Sequence, residues 1–114
     1  MKTILILFSL CLPVFAQAAH YVDLNCNAPV GGGSVTGYNA KRSTVSGSGY
    51  VTIASAATCS FKDTSAAVQV EGTKFYYVFT ATGPGGESPN SNEAAATIPF
   101  SVPPAPTGAT AVPH

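Results

Sequence analysis

Apolar and polar residues alternate along the chain in short runs that Gly, Pro, Asn and Ser interrupt. Runs of this kind predict β-strands, and they occupy residues 21–26, 36–43, 50–54, 59–63, 74–82 and 91–98. Neighbouring side chains of a strand point to opposite faces, so alternation with a period of two predicts sheets with one apolar face and one polar face. Two such sheets stacked on their apolar faces form a β-sandwich. The pattern therefore predicts an all-β fold.

The same alternation assigns side chains to the inside or the outside of the sandwich. The apolar faces carry an aromatic set that we expect to form the centre of the core, namely Tyr38, Phe61, Phe75, Tyr77 and Phe79. The opposite face of the longest run carries Tyr76, Val78 and Thr80, which we expect to contact solvent. We also expect Asp23 and Asp63 to face solvent from their strands.

The N-terminal segment has the features of a secretory signal. Lys2 precedes an apolar run at residues 4–15, which is shorter than the roughly 20 residues that a spanning helix needs. Ala-Gln-Ala at residues 16–18 then offers small side chains at the spacing that signal peptidase accepts. We therefore expect residues 1–18 to be a signal peptide cleaved after Ala18, with no membrane span left afterwards. A retained membrane anchor is the alternative.

Composition and charge narrow the functional classes. Among 114 residues, five basic and five acidic side chains balance, and charged residues make up only 9%, against about 25% in an ordinary soluble domain. No basic patch is present to neutralise phosphates, so nucleic-acid binding has no support. His20 and His114 lie near the ends of the mature chain, and no histidine remains to serve a nucleophile. We expect no enzymatic activity, no cofactor and no metal site.

Three segments, taken together, resemble a known family. Residues 38–44 read Tyr-Asn-Ala-Lys-Arg-Ser-Thr, residues 72–81 read Gly-Thr-Lys-Phe-Tyr-Tyr-Val-Phe-Thr-Ala, and residues 86–94 contain Gly-Glu-Ser followed by Ser-Asn-Glu-Ala. In this order they resemble strands and a loop of bacterial fibronectin type III domains, over about residues 21–99. The resemblance implies an immunoglobulin-like, fibronectin type III β-sandwich of two antiparallel sheets, which we place at residues 19–98.

The chain departs from that family at several positions. Cys26 stands where a core Trp is expected, Phe75 replaces the Tyr at the start of its strand, and the first strand of the family fold is missing before Tyr21. In the family fold, the strands that carry Cys26 and Cys59 are neighbours in one sheet. For an exported protein, we therefore expect a Cys26–Cys59 disulfide. Two buried free thiols are the alternative.

The resemblance implies a binding, adhesion or spacer module that is secreted or displayed at a cell surface. A rigid sandwich presents its ligand contacts on exposed loops. We expect the loop at residues 83–90 to be the ligand site, with candidate residues Gly83, Glu87, Ser88 and Asn90. A protein ligand and a carbohydrate ligand are both open, and a loop that is only a solvated turn is the alternative.

The C-terminal segment, residues 99–114, is rich in proline and resembles a linker followed by the first strand of a further module. We therefore consider that it donates this strand to a neighbouring molecule, which would make the protein a self-assembling, filament-forming subunit. The candidate donor residues are Thr107, Ala109, Ala111 and Val112. A disordered tail and a tail folded back on its own domain are the alternatives. Folding back is strained, because residues 98–107 reach at most about 33–36 Å.

Overall fold

A computed structural model describes residues 19–114 of the chain, and the expected signal peptide lies outside the described residues. The strands are β1 Val22–Asn25, β2 Gly37–Ser43, β3 Val51–Ala56, β4 Ser60–Asp63, β5 Lys74–Gly83, β6 Gly86–Glu87 and β7 Ala94–Thr97. All six predicted strands are present, with ends shifted by up to three residues. Strand β6 and a short 3-10 helix at Ala66–Gln69 were not predicted, since both are too short to show a period.

The strands form two antiparallel sheets, as an all-β sandwich requires. Strands β1 and β4 make a two-stranded sheet, and the larger sheet has the order β3-β2-β5. Strand β2 accompanies β5 from Gly37, opposite Thr82, to Ser43, opposite Tyr76. The other edge of β5 is divided, because β7 pairs with its beginning and β6 with its end. The central strand is therefore β5.

The core confirms the centre of the aromatic set. Its buried members come from both sheets and from the segments that follow β4 and β7: Leu24, Ala40, Val68, Phe75, Tyr77, Phe79 and Ile98. Phe61 is half-buried and packs against this core, where its ring stacks on Phe79 with ring centroids 6.1 Å apart. Tyr38 is half-buried but is not part of this cluster, contrary to the expectation. Burying each such side chain contributes about 1.5–3 kcal/mol, so the core rests largely on β5.

The expectation that Val78 and Thr80 contact solvent is wrong. They are only 2% and 3% exposed, although they lie on the outer face of β5. Lys41 on β2 is the cross-strand neighbour of Val78, and its ammonium reaches Glu87 on β6, 2.9 Å away. The side chain of Lys41 therefore crosses β5. Long polar side chains can cover apolar surface with their methylene groups, which explains the burial.

The expectation that Asp63 faces solvent is also wrong, because the residue is only 4% exposed. Its carboxylate accepts hydrogen bonds from Arg42 at 2.9 Å, from the Tyr77 hydroxyl at 2.8 Å and from the Ser65 hydroxyl at 2.7 Å. Burial alone would raise the pKa of Asp63, but these hydrogen bonds outweigh it and hold the pKa below its usual value. Asp63 has the same strand parity as Phe61, so the alternation already pointed inward.

The predicted disulfide is confirmed between Cys26 and Cys59, whose Cα atoms are 5.3 Å apart. The two residues extend the β1–β4 register by one pair, and the Cys26 N–H donates to the Cys59 carbonyl at 3.1 Å. Both side chains pack against the core. The crosslink closes a sequence separation of 33 residues, worth about 3.5–4 kcal/mol in the chain-entropy account. The crosslink connects β1 to β4, the two strands of the smaller sheet, which has few hydrogen bonds of its own.

Candidate functional site

The outer edge of β1 has no partner strand among residues 19–114. Strand β1 pairs only with β4, from Val22 opposite Asp63 to Asn25 opposite Ser60. In an antiparallel pair the backbone groups point to the partner at every second residue. Since the backbone of Cys26 bonds inward to β4, the outward groups of β1 belong to Asp23 and Asn25. An unpaired row of this kind is a template for another extended chain.

A cavity of about 550 Å³ opens beside the end of this edge, between the β1–β2 connection and the segment that follows β6. Four amide side chains line it: Asn25, Asn27, Asn90 and Asn92. Its apolar lining includes Pro29, Tyr38, Phe79 and Pro89. It is lined by no Lys, Arg, Asp or Glu side chain. Amides donate and accept hydrogen bonds, so the lining suits a neutral ligand with both kinds of group, such as a peptide backbone.

Two serines fix one wall of this cavity to β5. The Ser88 hydroxyl accepts the Ala81 N–H at 2.9 Å, while the Ser88 N–H donates to the Ala81 carbonyl at 2.8 Å. Ser91 repeats the arrangement with Phe79, at 2.8 Å for both bonds. Along the stretch of β5 that lies between its pairings with β7 and β6, these bonds take the place of strand pairing.

The structure divides the expected ligand loop. Asn90 lines the 550 Å³ cavity, Gly83 and Glu87 line a second cavity of about 290 Å³ beside residues 31–33, and Ser88 lines both. The Glu87 carboxylate accepts hydrogen bonds from Thr80 at 2.5 Å and, on the β2 side, from Asn39 at 3.2 Å and Lys41 at 2.9 Å. Thr80, then Lys41 and Asn39, lower the pKa of Glu87 to about 2. The charge of Glu87 therefore stabilises contacts within the larger sheet.

The C-terminal segment is exposed at every residue from 99 to 114, and it forms no helix or strand. Its beginning is anchored, because the Ser101 hydroxyl donates to the Glu71 carboxylate at 2.5 Å. The His20 side chain contacts the same carboxylate oxygen at 3.0 Å. The hydrogen bonds from Ser101 and His20 lower the pKa of Glu71. The tail thus leaves the domain beside the beginning of β1.

The expected donor residues have no strand partner in this single chain. Thr107, Ala109, Ala111 and Val112 all lie in the exposed part of the tail, and no backbone hydrogen bond connects them to the domain. No strand donation is evident within one molecule. Folding back of the tail, one of the expected alternatives, is therefore not the arrangement seen here.

Over residues 19–114, no group of three or more His, Cys, Asp and Glu side chains is placed to hold a metal ion. In the same span, no helix has the length and apolar character needed to cross a membrane. His20 belongs to the Glu71 contact and His114 is exposed at the end of the tail. The β1 edge with its cavity is therefore the feature with most capacity for recognition.

Similarity to a solved structure identifies the family of the chain. A crystal structure of a Fn3-like protein from Clostridium thermocellum is 38% identical to it, covering 74% of this chain and 82% of that chain with a TM-score of 0.59. The chain belongs to the fibronectin type III family. No family model matches the sequence, and no curated protein matches it either.

Two more distant structures share the fold of this fibronectin type III domain. The sixth fibronectin type III domain of human fibronectin type III domain containing protein 3 is 23% identical, with a TM-score of 0.62, covering 83% of this chain and 87% of that domain. The twitchin kinase region of C. elegans is 20% identical, with a TM-score of 0.61, over 72% of this chain and 14% of that one. Fibronectin type III domains are generally non-catalytic interaction modules, so the fold supports a binding or spacer module.

Proposed function

We propose that the chain is an exported fibronectin type III module that binds a partner protein outside the cell or at a cell surface. Export is supported by the Cys26–Cys59 disulfide, since disulfides persist in oxidising compartments, and by the signal-like residues 1–18. Adhesion or spacing between other components follows from the same binding role. Neither role requires a catalytic group.

The binding site in this proposal is the outer edge of β1 together with the adjoining 550 Å³ cavity. The observation that carries it is the outward-facing backbone of Asp23 and Asn25, which no strand within residues 19–114 covers and which ends at an uncharged cavity rich in amides. An added strand gains affinity from backbone hydrogen bonds and specificity from side-chain pockets. We therefore propose an extended peptide segment as the ligand, ahead of a carbohydrate.

Selection from a displayed library of linear peptides, run beside a glycan array, tests this proposal. We expect peptides to bind the chain, and we expect Asp23→Pro to weaken them by about tenfold or more, because proline removes the outward N–H. Asp23→Ala is the matched control, since it removes the same carboxylate and keeps the N–H. Binding of glycans alone, or equal binding by both variants, would contradict the proposal.

A second candidate function is self-assembly, in which the exposed tail provides the added strand. It is favoured by two features within residues 19–114: a strand edge without a second partner and an exposed tail without strand pairing. Under this function the protein is a structural subunit, and filaments would follow from repeated contacts. The direction of β1 and the point where the tail leaves the domain both bear on this function.

A further inference from the structure

We infer that the strand bound at the outer edge of β1 is residues 107–112 of a second copy of this chain. This inference rests on the strand-binding site proposed above and names its occupant. It joins two parts of the molecule that have no strand partner in the described part of the chain: the outward backbone of Asp23 and Asn25, and the backbone of the tail. The pairing would be β-strand addition between identical chains.

The distal tail has the composition that such an added strand needs. Residues 107–112 read Thr-Gly-Ala-Thr-Ala-Val, with no proline and no charge. The six residues match the four of β1 with a margin at each end. Once paired as a strand, Thr107, Ala109 and Ala111 would share one face by alternation, and their small side chains would add little bulk beside β1. Every one of these residues is exposed and thus free to pair.

The proximal tail acts as a stiff spacer. Residues 102–106 read Val-Pro-Pro-Ala-Pro, so most of this stretch has no N–H to donate to a sheet. Proline-rich segments adopt the extended polyproline conformation, at about 3.1 Å per residue, which gives roughly 15 Å for five residues. Such a spacer holds residues 107–112 away from their own domain. It also lowers the entropy lost when the strand is bound elsewhere.

Strand directions favour a neighbour placed in line with the first molecule. Strand β7 ends opposite Lys74, near the Glu71 contact, and β1 begins beside the same contact through His20. Strand β1 therefore runs away from the end where the tail leaves. If the next copy is stacked in the same orientation beyond that end, the extended tail meets its β1 edge from the cavity side. The two strands are then antiparallel without any reversal of the chain.

Pairing within one molecule is opposed by the same geometry. Ser101 shares the Glu71 oxygen with His20, so the tail passes the beginning of its own β1 at the start of the proline-rich spacer. Six further residues cover about 20 Å before residue 107, whereas a strand of four residues spans about 13 Å. If the tail folded back along its own β1, residue 107 would therefore already lie beyond the far end of that strand. A second copy has no such offset.

The contact between copies would be heterologous, since the tail of one molecule meets the strand edge of the next. Contacts of this type propagate, into open filaments or closed rings, because each copy keeps a free tail and a free edge. The inference thus predicts an association that grows with protein concentration.

Complementation between two variants of the full chain tests the inference. Thr110→Pro/Ala111→Pro disables the donor, since the pair removes one N–H from each edge of the tail strand, and Thr110→Ser/Ala111→Ser is its matched control. Asp23→Pro disables the acceptor, with Asp23→Ala as its control. The readout is sedimentation velocity of protein purified from an oxidising compartment, over a wide range of concentration. Tail substitutions touch no buried group, so the donor variant keeps the fold.

We expect the wild type and both control variants to form concentration-dependent oligomers. The donor and acceptor variants should each associate about tenfold or more weakly, since each lacks backbone hydrogen bonds. Mixed together, they should form a species of two chains, because one supplies an intact edge and the other an intact tail. The inference is overturned if the wild type stays monomeric, or if the donor variant assembles as the wild type does.

The same inference is overturned if the mixture forms no dimer while the Asp23→Pro variant retains its unfolding midpoint. Failure of the proposed function is distinguishable from failure of the inference. Library peptides that bind the β1 edge of a monomeric wild type would support the site and reject the tail as its occupant. Absence of both peptide binding and self-association would reject the site itself.

Discussion

Replacing Asp63 with alanine removes the shared partner of three side chains in the interior. Arg42 would keep its charge with no carboxylate beside it, and the Tyr77 hydroxyl would lose the acceptor 2.8 Å away. The Arg42 side chain is 19% exposed and lies over the Phe75 ring, so solvent can screen its charge only in part. The substitution therefore leaves a polar cluster unsatisfied between the two sheets.

The expected loss in free energy of unfolding is about 3–5 kcal/mol, the usual cost of removing one member of a buried ion pair. That loss already includes the cost of the unpaired Tyr77 hydroxyl, since effects in one network are not additive. A domain of this size has roughly 5–15 kcal/mol in total. With a urea dependence near 1 kcal/mol/M, the midpoint should fall by about 3 M or more. Tyrosine fluorescence follows the transition, as the chain has no Trp.

Asp23→Ala is the control, because Asp23 is exposed on β1 and its loss should change stability by about 0.5 kcal/mol at most. The double variant Asp63→Ala/Arg42→Met should recover part of the loss, since it replaces the pair with apolar groups. Equal losses for Asp63→Ala and Asp23→Ala would refute the buried network. So would a double variant that costs the sum of its two single substitutions.

The same carboxylate predicts a pH dependence. The folded-state pKa of Asp63 is below its unfolded value, so its contribution is present above the unfolded pKa of about 3.9 and is lost as pH falls through the folded pKa. The stability difference between wild type and Asp63→Asn should narrow below about pH 4 in urea titrations, and a difference constant with pH would contradict this. Cys26→Ala/Cys59→Ala should cost about 3.5–4 kcal/mol, and reductant should destabilise only the wild type in the same titrations. Phe79→Ala should cost about 3–5 kcal/mol and Val51→Ala, at an exposed strand position, well under one, so similar urea midpoints would mean that the β5 register is wrong. Gly72→Ala should lower the thermal midpoint, because Gly72 has φ +84 and an added Cβ would lie 2.6 Å from the Phe100 ring, whereas Gly85→Ala, with open space around it, should change the midpoint little.

The sequence predicted the strands because they follow from local alternation, and it predicted the disulfide because the family resemblance makes the two cysteine-bearing strands neighbours. The parity of residues in β1 and β4 placed Cys26 and Cys59 on one face, and the structure places them directly opposite each other. The burial of Thr80 could not be predicted in this way, because it depends on side chains from neighbouring strands that cover the outer face of β5. Alternation along one strand carries no information about those neighbours.

The site was predicted less well than the fold. The expected loop contributes Ser88 and Asn90 to the cavity, but Glu87 turns to Thr80 and Lys41 instead. Asn92 lies just beyond the expected loop, whereas the amides of Asn25, at the end of β1, and Asn27, in the connection after it, come from far away in sequence. Which groups converge on one cavity depends on how the two sheets are stacked, and no pattern within a single segment records that. Within residues 19–114, β1 has β4 as its one partner strand, which agrees with the expectation that no strand directly precedes Tyr21.

Hydrogen exchange at single amides of β1 tests the central claim most directly. In dilute protein, the outward amides of Asp23 and Asn25 should exchange rapidly, while the inward amide of Leu24 stays protected by β4. At high concentration the outward amides should become protected together with amides in residues 107–112. The account is contradicted if Asp23 and Asn25 are already protected in the dilute monomer, or if they and the tail stay unprotected at every concentration.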